Sequence, residues 1–187
     1  MSIQNLKRVC IAAAGCAVLF GCASTISQPN VQEKPTAKTV AVHSISAQGV
    51  HHKIGQIRFS DGAQGLVIQT ELTSLPAGPH GFHIHEKPSC APAEKDGKMG
   101  AGLAAGGHYN PYQVPNHGTP HTGHLGDLPL LLVEADGSAK TTLIAPRLKV
   151  ADITGRAIMI HAGGDNYSDD PKPLGGGGDR IACGVIE

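Results

Sequence analysis

Histidines are the residues best equipped for chemistry in this chain, with 11 among 187 positions. In Gly81-Phe82-His83-Ile84-His85 polar and apolar residues alternate, as along a strand. A period of two puts His83 and His85 on one face and Phe82 and Ile84 on the other. Two imidazoles on one face make a ready pair of metal ligands. His108, His117, His121 and His124 follow within 17 residues, and Asp127 comes three residues later. His161 ends the apolar run Met159-Ile160-His161. Imidazoles with one carboxylate suit zinc or copper. They do not suit calcium or magnesium, which want oxygen. Seven such histidines and one aspartate exceed a single four-coordinate site, so two adjacent metals is the economical reading. His43, His51 and His52 stand apart near the start of the domain and read as exposed strand or turn residues.

The elements that must position these side chains are β-strands. Hydrophobic residues make up 40% of the chain but aromatics only 3%, with 25 Gly and 13 Pro. That composition favours a turn-rich β fold over a helical bundle. Leu66, Ile68, Thr70 and Leu72 alternate with Val67, Gln69 and Glu71, which predicts a strand over 66–73. Asp61-Gly62 reads as a hairpin turn before it. Asp136-Gly137, between residues 130–133 and 140–144, reads as a second hairpin. Residues 156–160 and 181–186 read as further strands. Residues 86–126 and 163–179 are long, Gly-rich and without sustained periodicity, as functional loops are. The formal net charge of zero and pI near 7.2 exclude a broad basic surface for nucleic acid.

The N-terminus reads as an export signal. Lys7 and Arg8 precede an apolar run of 12 residues, 9–20, too short to span a bilayer. Leu19-Phe20-Gly21-Cys22 resembles the lipobox of bacterial lipoproteins, although Phe20 is bulkier than that motif usually carries. On this reading residues 1–21 are a signal peptide and Cys22 is lipidated. The plain alternative is an ordinary signal cut after Ala23. Cys10 and Cys16 leave with the signal either way. Residues 22–38 read as the lipidated Cys and a flexible tether, and the folded domain as 39–187. The exported chain keeps 13 basic against 15 acidic residues, a net charge of −2.

Across residues 40–187 the chain resembles the bacterial copper-zinc superoxide dismutases. The likeness is carried by His80-Gly81-Phe82-His83-Ile84-His85-Glu86, Gly106-Gly107-His108-Tyr109-Asn110-Pro111, Gly123-His124-Leu125-Gly126-Asp127-Leu128 and Ile160-His161-Ala162-Gly163-Gly164-Asp165-Asn166. It closes on Gly175 to Gly178 and Arg180-Ile181-Ala182-Cys183-Gly184-Val185-Ile186. The resemblance implies an all-β fold, an eight-stranded Greek-key barrel or sandwich with two long metal-binding loops. It implies one copper and one zinc per subunit. Copper falls to His83, His85, His108 and His161, and zinc to His108, His117, His124 and Asp127. Asp165 matches the carboxylate that links ligand imidazoles on the two sides. His80 matches a structural histidine that bonds the backbone. His121 has no counterpart; spacing favours His117 as the zinc ligand. Cys90 and Cys183 match the family's disulfide, and Arg180 its anion-guiding arginine. Lys95 and Lys98 lie in the loop that adds positive steering in bacterial members. Asp179 departs from the pattern, where Ala or Ser is usual, and opposes anion attraction.

The activity so implied is dismutation of two superoxide anions and two protons to O₂ and H₂O₂ by Cu(II)/Cu(I) cycling, with His108 exchanging a proton and zinc structural. The rival reading is a non-catalytic copper- and zinc-binding or copper-delivery lipoprotein on the same fold. Superoxide is the small-molecule partner, and a membrane is the second through the N-terminal lipid. The sequence leaves monomer and homodimer both open. Ala23 after Cys22, rather than Asp, favours the outer membrane under the usual sorting rule of Gram-negative cells. The location is then periplasmic or membrane-anchored.

Overall fold

A computed structural model describes residues 37–187. The signal, Cys22 and most of the tether lie outside the described residues. The strands are β1 (Ala37–Ser46), β2 (Gly49–Gly62), β3 (Gly65–Leu72), β4 (Gly78–His80), β5 (Phe82–His85), β6 (Ala93–Lys95), β7 (Lys98–Gly100), β8 (Leu131–Val133), β9 (Ala139–Ala145), β10 (Arg156–His161) and β11 (Arg180–Ile186). Seven form one antiparallel sheet in the order β5-β10-β11-β1-β2-β3-β9, and β4 pairs with β8. Only Gly81 separates β4 from β5. Taken as one bent strand they make eight in the curled sheet, which is the all-β barrel expected.

The alternation read at Leu66–Leu72 is the burial pattern of β3: its four even-numbered residues are buried, and Gln69 and Glu71 are exposed. Their apolar faces meet Ile57 and Phe59 of β2, Phe82 and Ile84 of β5, and Ile158 of β10 in one core. A smaller cluster of Ile45, Cys90, Ala105, Ala157, Met159 and Cys183 lies apart from it.

Three sequence expectations move. The β2–β3 turn falls on Ala63-Gln64, because Gly62 pairs directly with Gly65 and Asp61 is still in the ladder. Asp61 is instead committed to the amide of Val150 at 2.8 Å. Asp136-Gly137 does turn the chain, with Glu134 N–H on Ser138 O, but no hairpin follows. β8 goes to β4 and β9 to β3, so the two runs enter different ladders. Finally, β1 begins at Ala37, so Ala37 and Lys38 belong to the fold and not to the tether.

Residues 86–126 hold only the short β6–β7 hairpin and a single 3-10 turn at Leu103–Ala105. This stretch nonetheless completes the sheet. The outer edge of β5 pairs with the loop and not with another strand: Ile84 N–H bonds Gly126 O, and Tyr109 N–H bonds Ile84 O. A Cβ on Gly126 would lie 2.3 Å from Ile84 O, so glycine is what lets the loop come this close.

Candidate metal centre

That edge pairing assembles the site. The loop bridges set His83 opposite Asp127 and His85 opposite His108. On its other side β5 pairs with β10, Met159 against His83 and Ala157 against His85. Ile158 and Ile160 turn into the barrel, so the odd-numbered face of β10 that ends in His161 is the one shared with His83 and His85. Register then sets His161 beside Arg180 of β11, after a bulge that follows Ile160.

His83, His85, His108 and His161 are all buried, and one ring nitrogen of each lies within 4.8 Å of the others. A second group of that tightness is His83, His108, His117 and Asp127. His124 stands at its rim, with Nδ1 3.6 Å from Asp127 Oδ1. His121 is exposed and belongs to neither group. His43 is half-buried and far along β1, while His51 and His52 are exposed beside Ser46 and Ser44.

The ring orientations are fixed from behind. His85 Nδ1–H donates to Gly106 O at 3.0 Å, and His161 Nδ1–H to Gly178 O at 3.1 Å. Their Nε2 atoms then face each other at 3.4 Å, as lone pairs that want a cation between them. Asp165 takes His83 Nε2–H on Oδ2 and His117 Nε2–H on Oδ1, both at 2.8 Å. Gly175 roofs that carboxylate, where a Cβ would come within 2.0 Å of Oδ1. His80, buried, points its two ring nitrogens at the carbonyls of His161 and Pro76, each 2.7 Å away.

Among the described residues four buried side-chain nitrogens remain without a hydrogen-bond partner: His83 Nδ1, His108 Nε2, His117 Nδ1 and His124 Nδ1. Orphaned buried polar atoms are costly and rare. His117 Nδ1 is only 3.0 Å from Asp127 Oδ2 but lacks the alignment of a hydrogen bond. Atoms this close that do not bond each other converge on a common point. The donor set fits two soft-to-borderline cations, one among imidazoles alone and one with a carboxylate added.

Burial dominates the electrostatics. It lowers His83 to about 3 and His161 to about 4, with His108 pressing in the same direction. Burial, and then the Arg180 charge, holds His85 well below its ordinary range. These rings are neutral, the form in which an imidazole can ligate a metal. Burial would lower His117 too, but Asp127 and Asp165 outweigh it and raise that ring to about 9. Burial works against ionising Asp127 and Asp165, yet their histidine partners hold both carboxyls well below the ordinary range.

Arg180 donates from Nη1 to Gly102 O and from Nη2 to Gly106 O, both at 2.7 Å. Gly106 therefore orients both His85 and Arg180, a role that sequence reading missed. Its only sequence signal is the glycine pair before His108. Cys90 and Cys183 form a disulfide with Cα atoms 5.7 Å apart, 93 positions apart in sequence. Lys95 and Lys98 face each other, exposed, across the β6–β7 turn.

Residues 53–186 match the family model for copper/zinc superoxide dismutase. The chain belongs to the copper/zinc superoxide dismutase family. A superoxide dismutase [Cu-Zn] from Haemophilus ducreyi is 54% identical over 79% of this chain and 76% of its own length. The solved copper/zinc superoxide dismutase from Brucella abortus is 49% identical, with a TM-score of 0.80, over 81% of this chain and all of its own. The monomeric copper, zinc superoxide dismutase from Salmonella enterica, solved in solution, is 49% identical with a TM-score of 0.74 over the same shares. With its family go the activity and cofactors: an oxidoreductase that dismutates superoxide, carrying one copper and one zinc per subunit.

Proposed function

We propose that copper is held by His83, His85, His108 and His161, and zinc by His108, His117, His124 and Asp127. The observation that carries this is the set of orphaned buried nitrogens: His83 Nδ1 and His108 Nε2 for copper, His117 Nδ1 and His124 Nδ1 for zinc. His108 faces both groups: Nε2 is unpartnered toward His83 and His85, and Nδ1 meets Asp127 at 2.8 Å. Copper, when bound, exchanges one electron with each of two superoxide ions. His108 Nε2 is the atom that takes up and returns a proton, while Nδ1 keeps the ring anchored on the Asp127 side. Arg180 binds the anion. Its plane is fixed by Gly102 and Gly106, and its remaining N–H groups and charge are left for a small oxyanion. Asp165 keeps His83 and His117 in the tautomers that free their Nδ1 atoms.

The chain works outside the cytoplasm, in this reading. Residues 1–21 are the leader, Cys22 carries lipid, and the outer membrane is the destination. A disulfide buried beside Met159 suits an oxidising compartment.

Residues 23–187, oxidised and loaded with copper and zinc, test the assignment. Rapid superoxide loss that requires copper and vanishes in His161→Ala is the expected result. Binding of both metals without turnover favours the copper-delivery reading instead.

A further inference from the structure

Residues 111–125 reach the metal centre as irregular chain, so their backbone is held from outside. Two charged side chains do this with opposite polarity. Arg147 follows β9, between the buried Ala145 and Leu148. Its Nε donates to Pro120 O at 2.7 Å, and its Nη2 to Gly123 O at 3.0 Å and His124 O at 2.8 Å. Among the described residues no carboxylate lies within ion-pair distance of this guanidinium, so nothing competes with the three carbonyls for it. At the other end, Asp169 Oδ2 accepts the backbone N–H of His117 at 2.9 Å. Its Oδ1 accepts Leu174 N–H at 2.9 Å, which ties the carboxylate to its own loop. Neither side chain bonds an imidazole.

We propose that Arg147 and Asp169 are positioning residues for zinc: they clamp the backbone at His124 and at His117 and so set the spacing of the two Nδ1 atoms before metal arrives. This rests on the zinc assignment above. A loop already held in its metal-bound shape does not have to be ordered when zinc binds, so the clamps raise affinity without touching the ion. The planar fork suits Arg147, because its donors must reach three carbonyls from a fixed direction. Asp169 serves the opposite need, an acceptor for an amide at the edge of the loop.

The test uses the full disulfide-oxidised chain, stripped of metal. Zinc affinity is read by competition with a chromophoric chelator, and site geometry by the visible bands of Co(II) at the zinc position. Arg147→Gln and Asp169→Asn are each expected to weaken zinc on the order of tenfold and to alter the Co(II) bands. Asp169 is exposed and Asn nearly isosteric, so this variant decides the matter even where Arg147→Gln folds poorly. Zinc affinity within about twofold of the parent, with equal loss of melting temperature in the metal-free and zinc forms, overturns the proposal and leaves ordinary structural roles. His124→Ala is the control for the site itself. If it leaves affinity and Co(II) bands unchanged, the zinc assignment falls, and the clamps fall with it.

Discussion

Asp165 lies 2.8 Å from His83 Nε2, and solvent reaches neither side chain. The same carboxylate holds His117, so one residue orients rings from both metal groups. Asp165→Asn places an amide where two N–H donors need acceptors. Zinc affinity is expected to fall by about 10–100-fold, with a smaller loss of copper order. Chelator competition for zinc and the Cu(II) spectrum of the variant check this.

The metal-free chain is expected to be most stable near pH 6.5. His83 and His161 are lowered from 6.5 to about 3 and about 4. Below pH 6.5 the unfolded chain binds protons that these folded rings refuse, so stability falls with pH. His117 runs the other way, raised from 6.5 to about 9. Its contribution is complete below 6.5 and is lost as pH climbs through about 9. Asp127 and Asp165, held below their ordinary 3.8, add a further loss only at lower pH. Thermal melts of chelated protein are the measurement. A melting temperature still rising at pH 9 contradicts the account. With His117 as the proposed zinc ligand, the metal displaces its proton, and zinc affinity is expected to keep rising between pH 6.5 and about 9.

Replacing both Cys90 and Cys183 by Ala removes a link spanning 93 positions. The chain-entropy estimate is about 4–5 kcal/mol of stability. Activity should fall as well, because the tethered loop supplies the Gly102 and Gly106 carbonyls that fix Arg180. Denaturant unfolding gives the first quantity and the copper-loaded rate the second. An unchanged midpoint argues against the tether.

Asp179 is exposed, adjoins Arg180, and has no cation within ion-pair distance among the described residues. Asp179→Asn should raise the association rate of superoxide severalfold at low salt. Lys95→Gln with Lys98→Gln should lower it and flatten its salt dependence. Rates measured across ionic strength distinguish these charges from inert surface residues.

The parts of this centre legible in sequence are those governed by short-range periodicity. Alternation alone put His83 and His85 on one face, and it read the buried side of β3 correctly. Hairpin partners were harder. Asp136-Gly137 is a genuine turn, but whether its flanks pair depends on β3 and β4, distant in sequence. Asp61 has a turn residue's chemistry, yet its carboxylate is spent on Val150. The ligand grouping needed a family resemblance, because the loop bridges joining His83 to Asp127 and His85 to His108 have no local signature. Arg147 and Asp169 carry none either: each acts through backbone C=O or N–H groups, which the side-chain sequence does not mark.

The disulfide closes residues 90–183 into a covalent ring. Inside that ring are His108, His117, His124, Asp127, His161, Asp165 and Arg180; His83 and His85 alone of the centre lie outside. A protease that cuts the exposed stretch around Tyr112 therefore opens the ring without shedding a fragment. Such a nicked molecule keeps every ligand on one covalent body and separates into two only when a thiol is added.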